Sequence, residues 1–233
     1  MKIIKEGETG YGYIIENDGY YDRLIKENIT IIKEAKAKPE TFLDNPCIFC
    51  VLQKYGVENR NKRIYAKDIL IPAVESYMEN VKRRSAVGTV DHEDSTNISL
   101  QQIGLLIEDI YWDGATVIGK VKLPITRGYR QMGIASNGAD MVANLIFEHD
   151  IMIGISSRGV GEVQEMKDKK IYVTEYDLIC WDWVQMPSTI GAWAYMSPEL
   201  VEPNIQKAPD FKENMKTKPT KFNKLADFMG INM

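Results

Sequence analysis

Histidine and cysteine are scarce in this chain: two of the first, His92 and His149, and three of the second, Cys47, Cys50 and Cys180, in 233 residues. An odd, sparse set of cysteines makes no disulfide framework and fits a reducing compartment. Cys47 and Cys50 have the Cys-x-x-Cys spacing of a zinc knuckle, but no second pair answers it. Two buried strand cysteines are therefore expected, with no metal. No His-Glu-x-x-His or comparable ligand spacing occurs either. No apolar run approaches the roughly 20 residues of a membrane span, and the first residues carry no apolar signal region. Synthesis and action inside a cell, away from membranes, are expected. Nor is there an excess of positive charge: 29 Lys and Arg against 33 Asp and Glu give a net charge of −4. That balance offers no general attraction to nucleic acid or anionic lipid.

What is present is an ordinary globular composition, 44% hydrophobic and 27% charged, enough for one substantial core with flanking segments. Three stretches differ in character. Residues 1–45 set glycines, tyrosines and charges together and read as a loosely packed arm or propeptide with one or two short elements. Residues 46–200 carry the periodic patterns of a folded domain. Residues 201–233 are rich in lysine and proline, a linker that ends in a short amphipathic helix at Phe222, Leu225, Ala226 and Met229.

Within the middle stretch, 47–57 is β-rich and leads to the basic turn Asn59-Arg60-Asn61-Lys62-Arg63. Apolar residues at helical spacing predict a helix over 66–84. Asp113-Gly114, between two β-prone runs, predicts a hairpin. Asn137 or Asp140 caps a helix through Phe147, with His149 just past its end, where a cation is favourable for structural reasons. A second hairpin turns at Lys167-Asp168-Lys169-Lys170. On its second strand Cys180, Asp182 and Val184 share one face, opposite Trp181 and Trp183. An aspartate between two tryptophans is expected to be partly buried and to need a partner.

Two places carry chemistry. Ile153-Gly-Ile-Ser156-Ser157-Arg158-Gly159 reads as a strand delivering two serines and an arginine between glycines. Rigidly held serines beside backbone N–H groups and a cation suit acyl transfer, although such a segment alone is more often a surface turn. Ser85 to Asp94 is a short strand entering an acidic cluster around His92. A solvated loop, a metal site drawn from Asp91, His92, Glu93 and Asp94, and a general base at His92 are the three readings. Neighbouring side chains on an extended strand point to opposite faces, so all four cannot converge on one ion. Imidazole titrates near neutrality, which suits it to take a serine proton.

In order along the chain, Asn59-Arg-Asn-Lys-Arg-Ile-Tyr65, a strand ending at His92, Ile107-Glu108-Asp109 before Trp112, Gly154-Ile-Ser-Ser-Arg-Gly159 and Asp182-x-Val184 before Pro187-Ser188 resemble the prohead core proteases of large tailed bacteriophages. The resemblance covers about residues 46–195. That family is distantly similar in fold to the herpesvirus capsid maturation protease, assemblin. It implies an α+β fold, a mostly antiparallel β-barrel decorated with helices, and a virion-maturation serine protease. Members digest the internal scaffold and trim capsid proteins after Glu in Ile- or Leu-x-Glu contexts, then remove themselves. Scaffold, core and major capsid proteins are then the partners, the site of action is the prohead in the host cytoplasm, no cofactor is needed, and a homo-oligomer is expected. By the motif, His92 is catalytic and Ser156 is the nucleophile; Ser157 faces the other way on a continuing strand. Glu93 stands where the family often has proline, which bears on the shape of that loop. The imidazolium needs an acceptor, for which Asp182 is favoured and Glu108 is the runner-up. The herpesvirus relatives use a second histidine, but His149 matches no motif position. Backbone N–H groups around Arg158 and Gly159, with the Arg158 side chain as an added cation, are expected to meet the oxyanion. Self-cleavage is expected between Glu6 and Gly7, or between Glu34 and Ala35, although Ile25-Lys26-Glu27-Asn28 shows that such patterns also arise by composition. An inactive structural or scaffold component of the procapsid core and a metal hydrolase using the acidic cluster are the alternatives.

Overall fold

The computed structural model describes residues 19–37 and 47–195. Helix α1 (Gly19–Ala37) precedes β1 (Cys47–Lys54), β2 (Arg63–Tyr65) and helix α2 (Lys67–Lys82). Then come β3 (Val87–Thr89), β4 (Ile103–Asp113) and β5 (Thr116–Lys122), short α3 (Arg127–Met132) and α4 (Gly138–Phe147), and finally β6 (Ile153–Glu165), β7 (Ile171–Val184) and β8 (Trp193–Tyr195). Of two compact units, Met1–Val201 and Glu202–Met233, the second lies outside the described residues, and so does the expected helix at Phe222–Met229.

The two expected hairpins are the spines of two four-stranded sheets. β4 and β5 turn at Gly114, whose φ of 56° is the left-handed conformation that Asp-Gly supplies; β1 and β3 flank them in the order β1-β5-β4-β3. β6 and β7 turn at Lys169 (φ 61°), with β2 parallel to the start of β7 and β8 on the start of β6, in the order β2-β7-β6-β8. The fold is α+β, but the strands of the described residues do not close into one barrel. At one seam the sheets meet through a single bridge, Val90 to Trp183. Next to it β3 lies so close on β7 that a Cβ at Gly88 would sit 1.8 Å from the Trp181 carbonyl oxygen. At the other seam no ladder forms. The side chain of Asn28, 0% exposed, spans it instead: Nδ2 donates to Phe49 O (2.7 Å) and Ala194 O (3.0 Å), and Oδ1 accepts from Phe49 N (3.2 Å).

Asn28 revises the reading of residues 1–45 as a loose arm. Leu24, Ile25, Ile29 and Ile32 flank it at helical spacing and are buried, so α1 is part of the core. Each such side chain, fully buried, contributes about 1.5–3 kcal/mol. α2 fulfils the helix expected over 66–84. Its Leu70, Ala73, Val74 and Tyr77 face inward, with Tyr77 edge-on to the fully buried Trp181 at 5.0 Å. Asn137 caps α4, accepting from Asp140 N at 2.8 Å.

Candidate active site

The pairing of β6 with β7 assembles the site. Ser156 lies directly opposite Asp182, and Arg158 opposite Cys180. Directly paired residues share a face, as do residues two apart on one strand. Ser156, Arg158, Cys180 and Asp182 therefore project to one side. Ser157, paired with Trp181, faces the other, toward Tyr65 and Tyr176. The apolar run before Ser156 holds it in the interior: Ile153 and Ile155 are buried, and Ser156 is 3% exposed.

His92 reaches this face because its strand stops early. β3 ends at Thr89, and Asp91 adopts φ 62° while its N–H donates to Trp183 O at 2.8 Å. Aspartate tolerates this left-handed conformation better than most residues. The turn brings His92 Nδ1 to 2.8 Å from Asp182 Oδ2. The ring is 41% exposed and the carboxylate 0%, so the pair joins solvent to the interior.

Asp182 is held from several sides. Oδ1 accepts from Thr89 N (2.8 Å), Thr89 Oγ1 (3.0 Å) and Cys180 Sγ (3.2 Å). Arg158 Nε donates to Oδ2 at 2.9 Å and Nη2 to Oδ1 at 3.3 Å. Burial alone would raise the pKa of Asp182. The bonds from His92 and Thr89 and the Arg158 charge outweigh it and hold the carboxyl below the usual range. Burial also pushes the Cys180 thiol up to about 12, so its thiolate is not available as a nucleophile.

The Arg158 side chain is not the free cation expected for an oxyanion. Besides Asp182 it donates through Nη1 to the carbonyls of Glu93 (3.2 Å) and Ser95 (2.8 Å). Glu93 turns its carboxylate to Arg158 Nη1 at 3.7 Å and to Ser99 N at 3.4 Å, so the residue that departs from the family's proline orders the loop after His92 with its own side chain. The acidic cluster does not gather: among the described residues no three His, Cys, Asp or Glu side chains are placed to hold one ion. Glu108 is not brought to His92 but pairs with Lys120 (2.9 Å) and Lys122 (3.5 Å), with Cys47 Sγ at 3.5 Å. Cys50 is buried on β1. His149 is exposed, beyond the α4 cap residue Glu148. Glu6 and Gly7 lie outside the described residues, while the Glu34–Ala35 bond lies within α1.

Sequence reasoning passed over three groups. Thr89, 0% exposed, sits in a strand too short to show a pattern. The link from Arg158 to Asp182 was within reach, because Arg158 is two residues from Ser156 and Cys180 two from Asp182. Ser188, named only as part of the Pro187-Ser188 motif, has its Oγ 3.0 Å from Ser156 Oγ and comes from the loop between β7 and β8, whose path no periodicity predicts.

The chain matches the model of one protein family, described as prohead core protein serine protease, over residues 25–205. It is 30% identical over 164 residues to the prohead core protein protease of Enterobacteria phage T4, covering 69% of this chain and 71% of that protein. The solved structure of the bacteriophage T4 capsid assembly protease, gp21, superposes with a TM-score of 0.53 at 29% identity, covering 59% of this chain and 80% of that one.

Proposed function

Because this chain belongs to the prohead core protein serine protease family, we propose that it is a capsid maturation protease whose nucleophile is Ser156, with His92 as general base and Asp182 as the acceptor that orients it. The observation that carries this reading is the direct pairing of Ser156 with Asp182, which in turn holds His92 through Nδ1 at 2.8 Å.

The chemistry follows from that bond. With Nδ1–H donating to Asp182, the neutral ring presents Nε2 as a base. Nε2 takes the Ser156 proton as Oγ bonds to the scissile carbonyl carbon, and the imidazolium is stabilised by the buried carboxylate. Collapse of the tetrahedral adduct expels the amine, which receives the proton from His92. Water then releases the acyl group by the same steps in reverse roles. Arg158 and Thr89 keep Asp182 ionised and fixed. The Gly159 N–H, on the strand carrying the nucleophile, is proposed as one oxyanion donor. In the resting site Ser156 Oγ bonds Ser188 rather than His92, and catalytic hydrogen bonds often tighten only when substrate binds.

The substrates proposed are the scaffold, core and capsid proteins of a bacteriophage prohead, inside which the enzyme would act in the host cytoplasm. Cleavage after Glu in Ile- or Leu-x-Glu segments, with self-cleavage after Glu6, belongs to the same proposal. Cleavage after Glu34 would first require the end of α1 to unwind. Intact-mass measurement of active protein beside Glu6→Gln and Glu34→Gln tests this part, and an active enzyme that keeps the chain through Glu34 whole rules it out.

Labelling with diisopropyl fluorophosphate tests the nucleophile. Wild type and Ser157→Ala should take one label, on Ser156, while Ser156→Ala takes none. His92→Ala should lose digestion of denatured casein and label at a small fraction of the wild-type rate, because the two groups act as a unit. A label on Ser157, or an active Ser156→Ala protein, would overturn the assignment.

A further inference from the structure

Two of the segments that resemble the family, the basic turn around Arg60 and Pro187-Ser188, have no part in the site described so far. The fold brings them together over the nucleophile. Gly154 lies two residues before Ser156 on the same face of β6, and the Pro187 ring is seated on it: a Cβ there would lie 2.5 Å from Pro187 Cδ. Only glycine leaves room for that seat, which sets the next residue, Ser188, with its Oγ 3.0 Å from Ser156 Oγ. Arg60 holds the loop from the other side. Its Nη1 donates to Pro187 O at 2.6 Å and its backbone N–H to Ser188 O at 2.9 Å, and its guanidinium lies over the Trp193 ring at 5.8 Å. The loop closes with Ala192 N donating to Thr189 O (3.2 Å) and Ile155 N to Ala192 O (2.9 Å). Both carbonyls of the Pro187-Ser188 pair are thus fixed, and the Ser188 hydroxyl is the group left facing the nucleophile.

The site needs such a group. The Arg158 guanidinium is committed to Asp182 and the Glu93 and Ser95 carbonyls, and Arg158 pairs with Cys180 in the ladder. Accepting the assignment of Ser156 as nucleophile, on which this rests, we propose that Ser188 is a further catalytic residue. Its Oγ–H donates to Ser156 Oγ at rest and to the carbonyl oxygen as charge develops there, and Arg60 is the residue that positions it. In that step the Ser156 proton passes to His92 Nε2, the Ser156 Oγ–carbon bond forms, and the carbonyl π pair moves onto oxygen. Ser188 keeps its proton throughout and supplies a hydrogen bond that is stronger to the oxyanion than to the ground-state carbonyl.

The second-order rate of Ser156 phosphorylation by diisopropyl fluorophosphate tests this without knowledge of the natural substrate. The same charge develops on the phosphoryl oxygen, and fluoride is the leaving group. Ser188→Ala should label about 10²–10³-fold more slowly than wild type, the usual cost of losing one oxyanion donor. Ser188→Thr, which restores a hydroxyl, should recover to within about tenfold of wild type; Arg60→Ala should be about tenfold slow through a displaced loop. Thermal midpoints read in parallel separate these effects from unfolding. If alanine disturbs the loop, Ser188→Cys, near in size and a weak donor, should still label slowly. Labelling of Ser188→Ala within about threefold of wild type, with Ser156→Ala unlabelled, would overturn the role of Ser188 alone. A Ser156→Ala protein that labels normally would overturn the nucleophile and this role together.

Discussion

Asp140 and Asp182 are both withdrawn entirely from solvent, and in both the hydrogen bonds received outweigh burial and hold the carboxyl below its usual range. Their donors differ. Asp140 accepts from Thr126 N and Oγ1 (2.7 Å each) and from Ser136 N (2.9 Å) and Oγ (3.2 Å), all neutral and all within 14 residues of it. It ties a loop to the start of α4. Asp182 draws its donors from segments up to 93 residues away, and two of them, His92 and Arg158, can carry positive charge. The same buried charge is a knot in one place and, on the function proposed above, a working part in the other. What separates them is a titratable, solvent-reaching partner, and burial or pKa alone would not have told them apart.

Substituting each aspartate sharpens that contrast most. Asp182→Asn should lower casein digestion by about 10³–10⁴-fold, because the amide favours the wrong imidazole tautomer and cannot stabilise the imidazolium. Asp140→Asn should leave the specific activity of folded protein within about threefold while costing about 1–3 kcal/mol in urea unfolding, the usual effect of mismatched buried donors. Equal losses of activity would dissolve the distinction.

A smaller effect should be common to both. A carboxyl whose native pKa is depressed adds stability above its unfolded value of about 3.9, and that stability is lost as pH falls through the lower native value. Wild type should therefore lose urea resistance progressively below about pH 4. Each Asn variant should lose it less steeply than wild type over the same window. A variant with the full wild-type slope would show that its aspartate does not titrate as described.

Smallest of all should be Glu108→Gln. Paired with Lys120 and Lys122 on one sheet, it should shift stability by less than about 1 kcal/mol and leave turnover unchanged. A loss of activity approaching that of Asp182→Asn would return it to the site.

Asp182 was legible in the sequence because period-2 alternation put it on one face with tryptophans on the other, and a buried carboxylate demands a partner. The hairpins, α2 and the Asn137 cap were legible for equally local reasons. α1 was not. Its buried stripe is interrupted by Asn28, which reads as a solvent residue until the carbonyls of Phe49 and Ala194 are seen on either side of it. The shortness of β3 and the turn at Asp91 were hidden too, since a left-handed aspartate leaves no periodic trace. Arg158 was found as a residue but its bonds to Asp182 were not foreseen, because only the cross-strand register shows which charge it faces.

The Asn28 seam also bears on the order in which the protein is made. α1 leaves the ribosome before β8, and one of the acceptors for its buried amide, Ala194, lies 166 residues further along. Until β8 has been synthesised, the helix carries an apolar stripe and an amide with half its destination missing. A contact of such long range is among the last to form, since the chain must be ordered across that whole span first. The bond to Ala194 can form only once the last described strand exists. A chain halted before it would expose Leu24, Ile25, Ile29 and Ile32 to whatever apolar surface is nearest, the condition under which growing chains aggregate.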